Sequence, residues 1–198
     1  MTYKEKTLEY YNKNSREFAN GTLNVDFSET QEKFLSYLTP GADILDFGCG
    51  SGRDAKYFLK KGFKVHAIDG SKKMCEFAAE LTGIKVEQID FLTFNEKLKY
   101  DGIWACSSIL HLNSEELSVV VKKIADALKT GGIFYSSFKH GTFEGERNER
   151  FFNDMTAEKF TSLLNRNKDF QLIKTWISED ARPAHKNEQW FNAICKKQ

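Results

Sequence analysis

The sequence is poor in the residues that would tie it to a disulfide framework, a metal, a membrane or a nucleic-acid backbone. Its 4 cysteines, Cys49, Cys75, Cys106 and Cys195, are widely separated and form no C-x-x-C pair. That spacing suggests neither a zinc site nor a disulfide framework, and no metal is expected. The cysteines read as reduced thiols acting as small buried apolar residues, with pocket lining the other reading for Cys49 and Cys106. An excess of one charge is missing too. Lys and Arg number 29 against 28 Asp and Glu, a net charge of +1, so there is no global basic field for binding a phosphate backbone. No apolar run is long enough to span a bilayer, and the polar start Met1-Thr2-Tyr3-Lys4-Glu5-Lys6 leads into no apolar signal core. A cytoplasmic protein without membrane or nucleic-acid partners is expected. The sequence has no internal repeat and no low-complexity tract, and its 2 prolines, Pro40 and Pro183, sit at turns.

What is present is an alternation. Short β-branched and aromatic runs at 42–47, 63–68, 84–89, 100–106 and 131–138 are separated by stretches of helical period at 52–61, 71–82 and 115–128. Such alternation argues for an α/β protein with a parallel sheet flanked by helices. The helix over 115–128 puts Leu117, Val120, Val121, Ile124 and Leu128 on one face, is capped by Asn113 or Ser114, and ends at Lys129-Thr130-Gly131-Gly132. Two helices near 3–19 and 28–38 precede the first strand. A polar stretch from His140 to Asn153 follows the fifth, then a helix near 156–167 and two mutually antiparallel strands near 170–178 and 188–196. At 198 residues the chain is long enough for one domain, 1–198, with a sizeable core; residues 1–40 form a candidate helical lid.

Function turns on Ile44-Leu45-Asp46-Phe47-Gly48-Cys49-Gly50-Ser51-Gly52-Arg53-Asp54, where an apolar strand ends in an acid and glycines at alternate positions open a helix. Glycine lets the backbone turn tightly and approach a ligand, and the helix start adds unpaired N–H groups and a positive dipole end. A nucleotide-like cofactor suits such a loop. The dinucleotide pattern G-x-G-x-x-G would need a third glycine where Arg53 stands, which disfavours a nicotinamide-dependent oxidoreductase. The pattern here is D-x-G-x-G-x-G. Two more acids end the next strands. Asp69, in Ile68-Asp69-Gly70-Ser71, stands where a carboxylate accepts both ribose hydroxyls, or it simply precedes a helix capped by Ser71. Asp90 can accept from an adenine amino group with Phe91 covering the ring, or it can be a loop or cap residue. Their joint placement at the carboxyl edge of consecutive strands is where open α/β sheets bind ligands.

In order and spacing, Asp46–Gly52, Asp69, Asp90, the strand Asp101-Gly102-Ile103-Trp104-Ala105-Cys106 and the turn Lys129-Thr130-Gly131-Gly132 resemble the class I S-adenosylmethionine-dependent methyltransferases, over residues 40–140. Two further stretches, W-A-C-S-S-I-L-H-L and F-K-H-G-T-F-E-G-E-R-N-E-R, are similar to the small bacterial type 11/12 or tellurite-resistance-like group. The resemblance implies a Rossmann-like methyltransferase fold: a seven-stranded, mostly parallel sheet with an antiparallel last strand and helices on both faces. It implies S-adenosylmethionine as cofactor, held by Asp46 at the ammonium, by Gly48, Cys49, Gly50 and Gly52, and by Arg53 near the carboxylate. Asp69, Gly70 and Ser71 would serve the ribose, Asp90 and Phe91 the adenine, and Met74, Cys106 and Ser107 would complete the lining. Tyr10 or Tyr11 would close over the methionine end; the other readings are an apolar helix face for the tyrosines and a solvated helix start for Arg53.

Methyl transfer asks chiefly that the acceptor be held in line with the methyl carbon. Where the acceptor must lose a proton, His111, just beyond the fourth strand, is the candidate base, its alternative being a histidine that shapes the pocket. The 139–153 segment is the candidate acceptor-binding insert, in which Lys139, His140, Arg147 and Arg150 would hold an anionic small molecule. Otherwise it is a solvated charged loop. A nucleic-acid acceptor is a weaker reading, because Ala105-Cys106-Ser107-Ser108 replaces the Asn/Asp-Pro-Pro-aromatic grip on a flipped base. A binding module without turnover is the remaining alternative.

Overall fold

Ile44, Leu45 and Phe47 are fully buried, and so are Ile103, Trp104 and Ala105. Consecutive buried residues are what a strand covered on both faces requires. These runs form β1 (Asp43–Phe47) and β4 (Tyr100–Ala105), the middle of a seven-stranded sheet. The computed structural model describes residues 1–198, the side chain of Ala184 excepted. Its other strands are β2 (Lys64–Asp69), β3 (Val86–Gln88), β5 (Leu128–Lys139), β8 (Phe170–Glu179) and β9 (Gln189–Lys197), in the order β3-β2-β1-β4-β5-β9-β8. The pairs β1–β2, β1–β4, β2–β3 and β4–β5 are parallel, and the last strand, β9, is antiparallel to both its neighbours. This is the Rossmann-like methyltransferase sheet that the resemblance implied.

Helices cover both faces. α6 (Ser114–Ala127) and α7 (Ala157–Asn167) bury Val120, Val121, Ile124 and Phe160 against Leu45, Ile103, Phe134 and Phe138. On the other face α3 (Ser28–Leu35) and α4 (Arg53–Lys60) pack Phe34 and Phe58 on Ile44, Trp104 and Tyr135. The Trp104 and Tyr135 rings stack at 3.9 Å. α5 (Lys72–Thr82) starts at Ser71, whose hydroxyl accepts from Met74 N, and ends at Gly83 in the left-handed conformation.

Three boundaries differ from the sequence reading. The expected helix over 3–19 is two, α1 (Tyr3–Lys13) and α2 (Ser15–Thr22), broken at Asn14. There the Asn14 side-chain amide donates to the Tyr10 carbonyl, a local bond that competes with helix continuation. β5 begins at Leu128, and Lys129–Gly132 forms an irregularity in its pairing with β4 instead of a turn before the strand. The 139–153 segment contains a hairpin, β6 (Glu144–Arg147) and β7 (Arg150–Asn153). Asn148 and Glu149 between these strands both have positive φ, +50° and +60°, as a two-residue hairpin turn requires. Among the described residues no helix is long and apolar enough to cross a membrane.

Candidate cofactor and acceptor site

The chain leaves β1 through Gly48, Gly50 and Gly52, with φ of +83°, +53° and +84°. A Cβ on Gly48 would lie 2.3 Å from Ser108 Cβ, which no side chain tolerates. At Gly50 the Phe18 ring is the one group within 4 Å, so a side chain there would fill open cavity. The loop is tied to the end of β2: Gly50 N donates to Asp69 Oδ2 at 2.9 Å and Ser71 N to Asp69 Oδ1 at 2.8 Å. Burial raises the Asp69 carboxyl, and these backbone N–H bonds oppose the rise. A carboxylate has more lone pairs than these donors occupy, so Asp69 keeps acceptor capacity for hydroxyls.

Beside this loop, at the carboxyl edge of the parallel strands, opens a cavity of about 760 Å³. Gly48, Cys49, Gly50, Arg53, Asp69, Gly70, Met74, Asp90, Phe91, Cys106 and Ser107 of the expected cofactor set line it, as do Tyr11, His111, Lys139, His140, Arg147 and Arg150. Asp46, Gly52 and Ser71 do not. Asp46 is buried behind the loop, and burial and then neighbouring Asp54 push its carboxyl well up. Its Oδ2 is buried with no hydrogen-bond partner among the described residues. Gly52 instead lets α4 approach α5, since its Cβ would meet Ala78 at 3.0 Å. Ser71 is spent on Asn12 of α1 and on capping α5.

Asp90 exercises the loop alternative, its Oδ1 accepting from Leu92 N at 2.8 Å within a turn, while still facing the cavity. Phe91 stacks on Phe47 at 4.5 Å. Ser107 is held at φ +53°, its N–H donating to Ser137 Oγ at 2.9 Å. The thiols are poor nucleophiles, burial raising Cys106 to about 12 and Cys75 to about 11.

Arg53 does not stand free for a cofactor carboxylate. It makes a two-pronged pair with Asp54, Nε to Oδ1 at 2.7 Å and Nη2 to Oδ2 at 3.0 Å. Asp54 also accepts from Trp104 Nε1 at 2.9 Å and Gln31 Nε2 at 2.7 Å. Burial alone would raise the Asp54 carboxyl; Arg53 and these donors hold it below the usual range. The sequence reading missed this network, although Asp54 lies in the same run as Arg53.

On the acceptor side Arg147, Lys139 and the candidate base His111 are already engaged. Arg147 pairs through both nitrogens with buried Asp154, at 3.0 and 2.6 Å. Lys139 bonds Glu188 and lies 3.4 Å from Asp180, which also takes Arg182 and Trp190 Nε1. His111 has both ring nitrogens committed: Nδ1 lies 2.6 Å from the Phe151 carbonyl and Nε2 2.8 Å from the Tyr11 hydroxyl. A carbonyl only accepts, so Nδ1 carries the hydrogen and Nε2 accepts from Tyr11. Burial, with Arg150 and Arg147 adding to it, lowers His111 to about 4. The expected free base is therefore a neutral imidazole holding Tyr11. Of the two candidate tyrosines, Tyr11 lines the cavity and Tyr10 lies under Arg150, ring to guanidinium 4.4 Å.

Arg150 differs from the other cations. Among the described residues it has no carboxylate partner; it lies over Tyr10, Tyr11 and Phe152, its Nη1 is 3.4 Å from the Tyr11 hydroxyl, and its Nε is buried without a partner.

Residues 44–132 match the family model of a methyltransferase domain. That stretch is somewhat less than half of the chain, and it spans β1 to the start of β5 with the glycine loop between. It is 24% identical over 180 residues to (S)-coclaurine N-methyltransferase of Papaver somniferum, covering 80% of this chain and 50% of that protein. To glycine N-methyltransferase of Mus musculus it is 24% identical over 157 residues, covering 66% and 54%. The chain thus spans about half the length of these curated relatives. Among solved structures it resembles 1,6-didemethyltoxoflavin-N1-methyltransferase of Burkholderia thailandensis, bound to 1,6-didemethyltoxoflavin and S-adenosylhomocysteine, with a TM-score of 0.82 at 18% identity, covering 99% of this chain and 89% of that one.

Proposed function

We propose that this chain transfers the methyl group of S-adenosylmethionine to a small, anionic acceptor by in-line displacement. The observation that carries this reading is the glycine cradle at Gly48–Gly50, tied to Asp69 and opening on a cavity in which Arg150 has no counter-ion among the described residues. The bound cofactor supplies an activated methyl on a sulfonium, a good leaving group. The open space at Gly50 fits its methionine end, and Asp69 fits its ribose. Phe91 and Asp90 stand further along the same wall for the adenine.

The chain's own task is then to hold and to exclude. α1 lies across the cavity, joined to α5 through Asn12 and Ser71 and to the β7 hairpin through Thr7, whose hydroxyl accepts from Phe151 N at 3.1 Å. This covers the reacting centre on one side and supports 1–40 as a lid. Arg150 orients the acceptor's charge. A cytoplasmic setting agrees with four free thiols, three of them buried.

Calorimetric titration with S-adenosylmethionine and with NAD tests the cofactor: binding of the first and not the second is expected. Tight NAD binding alone would overturn the reading. Single-turnover release of a labelled methyl to an added acceptor separates a transferase from a binding module.

A further inference from the structure

Two polar groups of the cavity wall keep unused capacity, and the capacities are of opposite kind. The Tyr11 hydroxyl has donated its one proton to His111 Nε2 at 2.8 Å and accepts a long bond from Arg150 Nη1 at 3.4 Å; the capacity left on its oxygen can only accept. Arg150, adjacent to it, can only donate, and its positive charge meets three aromatic faces and no carboxylate among the described residues. A guanidinium fork so placed fits a carboxylate or another oxyanion. An acceptor molecule complementary to the pair brings an anion to Arg150 and an N–H to Tyr11.

Resting on the methyltransferase reading, we propose that the methyl acceptor is the amine nitrogen of a small amino-carboxylate, its carboxylate held by Arg150 and one N–H held by the Tyr11 oxygen. An N–H fixed by an acceptor oxygen turns the nitrogen lone pair toward a defined direction, which is what in-line attack needs. The nitrogen enters as the free amine. Its lone pair forms the new N–C bond as the C–S bond breaks, the electron pair of that bond stays on sulfur, and the methylated ammonium gives its proton to solvent. His111 takes no proton in this scheme. It is a positioning residue: its Nδ1–H on the Phe151 carbonyl fixes the ring, and the ring fixes the Tyr11 hydroxyl as an acceptor toward the cavity.

The test offers full-length protein, with S-adenosylmethionine labelled in its methyl, to glycine, β-alanine, 4-aminobutyrate and the three aminobenzoates, to their carboxamides, and to acetate and benzoate. Transfer to one or more amino-carboxylates is expected, with kcat/KM about tenfold or more lower for the matching carboxamide. For that substrate Arg150→Gln raises KM about tenfold while the Kd of S-adenosylmethionine stays within about twofold, and Tyr11→Phe lowers kcat about tenfold. His111→Gln, whose amide oxygen can still accept from Tyr11, recovers most of the kcat that His111→Ala loses; a merely structural histidine would give no such split.

Transfer only to molecules lacking either the amine or the anion overturns the proposal. So does a protein that binds S-adenosylmethionine yet methylates none of the amino-carboxylates. Equal weakening of cofactor and acceptor by Arg150→Gln assigns the arginine to the cofactor's own carboxylate and also overturns it. A wild-type protein that fails to bind S-adenosylmethionine defeats the broader functional reading, and this proposal with it.

Discussion

Asp54 is the residue on which the floor of the site depends. It takes Arg53 in a two-pronged pair and the Trp104 and Gln31 side chains from β4 and α3, all within the interior. Removing one partner of a buried ion pair leaves the other charge uncompensated, which costs far more than the pair contributes. Asp54→Ala is expected to destabilise the protein by about 3–5 kcal/mol, read from urea unfolding. His111 makes a second prediction at this scale. With its folded value near 4 against an unfolded 6.5, the unfolded chain binds the proton first as pH falls. Its contribution is intact above pH 6.5, is lost progressively as pH falls from there toward 4, and amounts to about 3 kcal/mol at most. Melting temperature followed from pH 7 to 5 should therefore drop more steeply for the wild type than for His111→Gln; equal slopes would remove the histidine as the cause.

Among the elements, α6 shows local sequence acting directly. Asn113 accepts from both Glu115 N and Glu116 N, and Glu116 returns the bond to the Asn113 backbone, a complete capping box. Asn113→Ala is expected to cost about 1 kcal/mol in chemical denaturation, without changing cofactor affinity. The helices over 72–82 and 157–167, capped by Ser71 and Thr156, were legible for the same reason, and that over 53–60, which has no side-chain cap, by its apolar period. The β6–β7 hairpin was not. Its turn, Asn148-Glu149, lacks the glycine that marks a two-residue turn, and its strands carry Glu and Arg where alternating apolar residues would signal a strand. Those charges are satisfied across space, Arg147 by Asp154, Glu146 by Lys6 of α1 and Glu144 by Ser114 of α6. The break at Asn14 escaped notice because asparagine inside a polar helix is an ordinary residue until its side chain turns back on the Tyr10 carbonyl.

For the whole molecule, binding and stability are one measurement. A ligand that binds the folded chain at a hundred times its Kd adds about 2.7 kcal/mol to its stability. Saturating S-adenosylmethionine should raise the melting temperature by several degrees, roughly 2–4 °C per kcal/mol for a chain of this size, whereas NAD should leave it unchanged. A shift with both, or with neither, contradicts the assignment of the cradle. By itself the sequence determined the α/β alternation, the glycine loop and the acids at three strand ends, because strand period, turn glycines and caps are set by neighbours along the chain. Only the tertiary structure decided which charges remain available at the site. Arg53, Lys139 and Arg147 found carboxylates and Arg150 did not, and His111 became the support of Tyr11. The Lys139 pair and the His111 tautomer depend on groups brought together from distant parts of the chain, and the near-neighbour pairs Arg53–Asp54 and Arg147–Asp154 depend on side-chain directions that packing sets; both are products of folding.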